Sequence, residues 1–348
     1  MNFQTCRKIM LCICAVFLNE VVCIKANFGT TFDVSWELIT SEPAIGITIS
    51  PDNNYIAFGD PIGNQLSIFN IQTRTIEKRI NFPETFKEGI TFIPKWSPDR
   101  LYIAVSTHGV VHIIDLKDGK IVQSYSKKMS VVSNIEWIDS SHLAILDPTG
   151  YIDIFEIGTG KTIQTIDLGM QGESISYETF DWNAKNSLLA IPLYWSNTIG
   201  FLDKDGSLSK NYTYTDIKGH PKTSCFPATD EISQIHSITW SPNGENLSLT
   251  AKYGMTICSF GTKRKLVTQT IDNDSTSTAA WSPDSHWLIS TNAYDPTCWI
   301  KVFDATQAFV LNATFEGNIC GIYSIDWSRD GSYIVAGGTT ELWIGTVK

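Results

Sequence analysis

The chain offers no apolar run long enough to span a membrane. Ile9 to Leu18 ("IMLCICAVFL") is an unbroken apolar stretch of ten residues, about half of what a membrane helix needs. Positive charge is also scarce: 26 Lys and Arg stand against 36 Asp and Glu, for a formal net charge of −10. With no basic cluster to neutralise phosphates, a nucleic-acid surface is excluded. No C-x-x-C, C-x-x-C-H or G-x-S-x-G occurs. The six histidines, His108, His112, His142, His220, His236 and His286, show no metal-ligand spacing; His108 and His112 fall across a predicted turn and strand rather than on one helical face. No metal or other cofactor is therefore expected, and no catalytic residue is assigned.

The ten-residue run follows Arg7 and Lys8 and ends at Asn19 and Glu20. Basic start, short apolar centre and polar end read as a secretory signal peptide over residues 1–26. The mature chain, 27–348, is then expected to be secreted or periplasmic and not to span a membrane. Four of the eight cysteines leave with the peptide, and Cys225, Cys258, Cys298 and Cys320 remain. Export permits disulfides, but four cysteines allow three full pairings. N-x-S/T sequons stand at Asn211, Asn246, Asn273 and Asn312.

What is abundant is repetition. A phrase given most fully as "AAWSPDSHWLIS" returns along the chain, and its pivot aligns Ile49, Trp96, Trp137, Trp182, Trp240, Trp281 and Trp327. The spacings of 47, 41, 45, 58, 41 and 46 residues centre on the period of a four-stranded propeller blade. Blade two shows the order: "GITFIPKWS", "LYIAV", "VVHIID" and "IVQSYS" are strands, separated by turn residues. The innermost strands read as nearly all apolar or small, as strands packed on both faces should. Third strands alternate, as in Tyr151 and Asp153 against Ile152 and Ile154, predicting one drier face. The seventh repeat stops after three strands, and "TTFDVSWEL" (30–38) is the donor that would complete it and remove the open sheet edge. The expected fold is all-β: a seven-bladed β-propeller of four-stranded antiparallel blades, closed by the N-terminal strand.

The phrases "SITWSPNGENLSLTAKYGMTICSF", "SIDWSRDGSYIVAGGTTELWIG" and "GVVHIIDLKDGKIVQSYS" resemble WD-repeat β-propeller proteins over essentially the whole mature chain. The Trp-Asp dipeptide itself is replaced, for example by Phe69-Asn70, Ile114-Asp115 and Phe303-Asp304. The resemblance implies a non-catalytic scaffold, monomeric, with a protein or peptide partner bound on the loops between blades and between second and third strands.

Could Ser-Pro-Asp instead be catalytic? A serine in a nucleophile elbow uses the next residue's N–H in its oxyanion hole, and proline has none. Ser, Pro, Asp and a small residue instead suit successive positions of a type I turn. The partner-binding residues expected on the opposite end are the aromatics Tyr194, Trp195, Tyr253 and Tyr294, with Lys218, His220 and Phe226 from the one long insertion, 215–234. Cys298 and Cys320 fall near the same end, either bonded to each other or free. The alternative is a propeller enzyme, lactonase-like or sialidase-like, with its site at the central channel; it would need carboxylates, His or a metal converging there from several blades.

Overall fold

The computed structural model describes residues 32–60, 64–82, 92–107, 109–126, 132–168, 179–193, 198–203, 207, 214–215, 221–222, 235–252, 254–260, 266–293, 298–316, 319 and 321–348. The strands group into seven blades about one axis, each antiparallel and in simple up-and-down order. Blade one runs from Ile45–Ile49 to Thr75–Asn81, and blade six from Thr278–Trp281 to Val310–Glu316. The aligned Trp positions all lie in, and mostly end, the first strand of their blade. Among the described residues blade four has three strands, Asp181–Asn183, Leu188–Leu193 and Thr198–Asp203. Most residues between Asp203 and Ile235 lie outside the described residues, apart from Ser207 and the short pair Tyr214–Thr215 and Pro221–Lys222.

The recurrent phrase builds a serine-centred turn. Ser282 Oγ donates to Asp284 Oδ1 at 2.5 Å and accepts the Trp287 N–H at 2.8 Å. The same pair of bonds forms at Ser97 with Asp99 and Tyr102, and at Ser328 with Asp330 and Tyr333. The hydroxyl is thus held as a structural donor and acceptor, and the residue after Asp takes up left-handed backbone, as at Arg100 (φ 63°) and Ser285 (φ 61°). Burial pulls the carboxyls of Asp52, Asp284 and Asp330 upward, but their hydrogen bonds prevail and hold them below the ordinary range. A depressed carboxyl contributes stability above its unfolded pKa and loses it as pH falls through the folded value. Thermal midpoints are therefore expected to drop on acidification below about pH 4. Ser282→Ala, which strands the Trp287 N–H and leaves Asp284 Oδ1 with only the His286 N–H, is expected to cost about 1–3 kcal/mol. A lower urea midpoint with unchanged slope would report it.

The core is divided among the seams between blades. At one seam Leu188, Ala190 and Phe201 of blade four pack on Ile238, Trp240, Leu249 and Cys258 of blade five. Three of the aligned Trp residues reach backward across these seams. Trp96 Nε1 donates to the Thr48 carbonyl at 3.2 Å, Trp137 to Lys95 at 2.9 Å and Trp281 to Thr239 at 3.2 Å. At these three positions one apolar ring with one buried donor is matched to a fixed acceptor in the preceding blade.

The ring closes as expected. Val34–Thr40 pairs antiparallel with Leu342–Val347 as the outer strand of blade seven, with Val34 opposite Val347 and Trp36 opposite Gly345. One expectation is corrected. The alternation in third strands does not mark an exposed face: Asp153 is buried, receiving hydrogen bonds from Tyr125 Oη and, at 2.5 Å, Thr165 Oγ1. Burial, then the Asp153 carboxylate, pushes the Tyr125 phenol far up. Exposure alternates instead in the outermost strands, as in Lys120–Ser126, where every second residue is exposed.

Candidate functional site

The seven residues assigned to a partner face, Tyr194, Trp195, Lys218, His220, Phe226, Tyr253 and Tyr294, all lie outside the described residues. The framework around that end is described. Lys301 Nζ sits 2.9 and 3.0 Å from the Asp272 oxygens and 2.6 Å from Asp274, with its ammonium 4.3 Å from the Trp299 ring centre. Burial opposes its charge, yet the two carboxylates raise its pKa. Cys258 and Cys298 are both disulfide-bonded; Cys225 and Cys320 lie outside the described residues.

A second candidate lies on the axis. A cavity of about 480 Å³ is lined by the first strands of all seven blades. The residue just before each aligned position reads Thr, Lys, Glu, Asp, Thr, Ala and Asp from blade one to blade seven. One ring thus carries Lys95, Glu136, Asp181 and Asp326. Two residues earlier the cavity wall is small and mostly polar, including Asn134, Thr179, Ser237 and Ser324, and His236 and Tyr323 stand at the mouth.

The ionisable ring fastens blades together. Lys95 Nζ donates to Glu136 Oε2 at 2.6 Å, joining blades two and three. Asp181 Oδ2 accepts the Trp240 N–H at 2.6 Å, joining four and five, and Asp326 Oδ2 accepts the Ile49 N–H at 2.7 Å, joining seven and one. Lys95 is enclosed by the ring, yet 35% of its side chain remains open to the channel. Burial weighs against its charge, but Glu136, then Asp181 and Asp326, raise its pKa. Burial raises Asp326. Asp181 is pushed up to about 7, by burial first and by the neighbouring Glu136 charge second. Burial lowers the pKa of His236, whose Nδ1 lies 2.8 Å from the Thr276 carbonyl oxygen.

Sequence reasoning misses this ring because the innermost strands read as nearly all apolar or small. A signal is present all the same: Lys, Glu, Asp and Asp stand immediately before four of the aligned Trp residues. Carboxylates from blades four and seven, Asp181 and Asp326, line the channel, and Glu136 of blade three stands beside them on Lys95. Two of them, however, are engaged by backbone N–H groups, and among the described residues no group of three His, Cys, Asp or Glu could hold a metal.

The repeat, the closed ring and the blade topology define a β-propeller of the WD-repeat type. The family described as "Eukaryotic translation initiation factor eIF2A" matches residues 176–343, within blades four to seven. Among solved structures, the β-propeller domain of Cps50 (Swd1) from Myceliophteria thermophila is similar, with a TM-score of 0.70 and 14% identity over 90% of this chain and 100% of that domain. No curated protein matches by sequence.

Proposed function

We propose that the protein is an exported, non-catalytic platform that binds a protein or peptide partner on the end formed by inter-blade and second-to-third-strand loops. The observation that supports export is that Cys258 and Cys298 are each disulfide-bonded, because structural disulfides persist in oxidising compartments and are rare in the cytosol. A cytosolic role in translation, by analogy with the matched family, would sit poorly with them. The platform reading rests on the WD-repeat ring, a rigid scaffold of the kind that carries function in its loops, and on engagement of the channel carboxylates in joining blades.

Affinity capture of the secreted form with mass spectrometry identifies the partner. Tyr194→Ala with Trp195→Ala is then expected to weaken binding at least tenfold, as loss of aromatic anchors does. Leu101, 58% exposed in the turn at the opposite end, is the control. Unchanged binding in the double variant, with binding abolished by Leu101→Asp, would reverse the face assignment.

A further inference from the structure

Blade four is flanked on both sides by buried indole donors that have no partner among the described residues, whereas Trp327 Nε1, which also makes no bond across its seam, donates to the Gly331 carbonyl of its own turn at 3.2 Å. At the seams where Trp96, Trp137 and Trp281 reach across, an indole N–H donates to the preceding blade's channel strand. The equivalent donors on either side of blade four, Trp182 Nε1 and Trp240 Nε1, are buried with no hydrogen-bond partner among the described residues. The seam with blade five is compensated by two other bonds, Trp240 N–H to Asp181 Oδ2 and, at 3.2 Å, Ile238 N–H to Thr179 Oγ1. The seam with blade three retains Asn134 Nδ2 donating to the Phe180 carbonyl at 3.1 Å. Below that bond it sets Glu136 and Asp181, two carboxyls on neighbouring strands, in one enclosed ring.

We propose that the seam between blades three and four is proton-operated: a proton held on Asp181 beside Glu136 seats blade four, and its loss sets two like charges against each other and loosens the seam. The groups around Asp181 support this. Glu136 faces it from the first strand of blade three and repels its charged form, while the adjacent second strand of its own blade, "LLAIPL", carries no titratable side chain. From blade five the titratable neighbour is His236, lowered by burial and so disposed to be neutral. Across the channel Lys95 favours the charged form of Asp181 but is already bonded to Glu136, and Asp326 is a further carboxyl acting on the same ammonium. One ammonium thus faces three carboxyls, and neutralising one of them relieves the excess.

The sign follows from linkage. Asp181 in the folded ring holds its proton up to about pH 7, whereas an unfolded aspartate releases it near 3.8. Stability from this proton is complete below the lower value and is lost as pH climbs through the higher one. This is opposite in sign to the turn aspartates, whose contribution is lost on acidification, so the two windows do not overlap.

Hydrogen exchange followed by mass spectrometry from pH 5 to pH 8, corrected for intrinsic exchange rates, tests the proposal on the intact chain. Peptides over 179–193 should lose protection by up to tenfold per pH unit between pH 5 and 7 and level off by pH 8, the limit for one proton. Peptides over 299–316 in blade six should stay constant. Asp181→Asn keeps an oxygen for the Trp240 N–H and should abolish the dependence, remaining protected at pH 8. Glu136→Gln, which removes the opposing charge, should shrink the dependence and carries the test if Asp181→Asn fails to fold. A flat wild-type profile, or wild-type slopes in the variants that fold, would overturn the assignment.

Discussion

Trp36→Ala is expected to destabilise the ring by about 3–5 kcal/mol, as other aromatic truncations in packed cores do. Trp36 is 1% exposed and joins a cluster with Ile300, Phe315 and Trp343. Its ring meets Phe315 edge-on at 6.4 Å. Directly opposite in the ladder stands Gly345, where an added Cβ would come within 3.1 Å of the indole. The glycine leaves room for the aromatic to lie across the joining strands. Alanine would leave a cavity where Val34–Thr40 joins Leu342–Val347. A lowered urea midpoint should therefore be accompanied by new proteolytic cleavage within residues 34–40, because an unseated edge strand becomes accessible. A midpoint within about 1 kcal/mol of wild type would show that closure does not depend on this side chain.

Reducing the bonded Cys258 and Cys298 is expected to cost about 2–5 kcal/mol and to do so slowly. Cys258 has no exposed surface and lies among Phe201, Trp240 and Leu247, so a reductant must wait for the blade four to blade five region to open. Thermal denaturation with and without dithiothreitol measures the cost, after preincubation long enough to reach the buried bond. The complementary measurement is alkylation in denaturant without reductant. Cys258 and Cys298 should resist modification there and react fully once reduced. Free thiols at both positions in protein purified from a secretory source would remove the main support for export.

Much of the ring is legible in the sequence because its signal is periodic. The Trp ruler, the turn chemistry and the missing strand of blade seven each follow from residue order alone, since a blade repeats one supersecondary unit. Two features escape that reading for a shared reason. Asp153 alternates with apolar neighbours like a surface residue, yet it is covered by Tyr125 from the outer strand of the preceding blade, a contact that sequence order does not reveal, as well as by Thr165 opposite it in its own blade. Lys95, Glu136, Asp181 and Asp326 stand singly in apolar strands, and only the closed ring makes them neighbours. Disulfide bonding at Cys258 and Cys298 is equally beyond sequence, since pairing depends on the fold. The aromatic face follows from loop positions alone, and its residues fall outside those described.

The joining of Val34–Thr40 to Leu342–Val347 also imposes an order in time. The first strand of the fold to be synthesised takes its partner from the last. At about 5–20 residues per second, some 300 residues of synthesis leave it waiting for about 15–60 seconds. Through that interval "VSWELIT" is a bare edge of high β-propensity, open to pairing with another chain. Glu37 interrupts it with a charge, and Arg74 meets that charge at 3.0 Å once blade one is in place. A nascent chain therefore has most to gain from whatever shields its beginning until its end has been made.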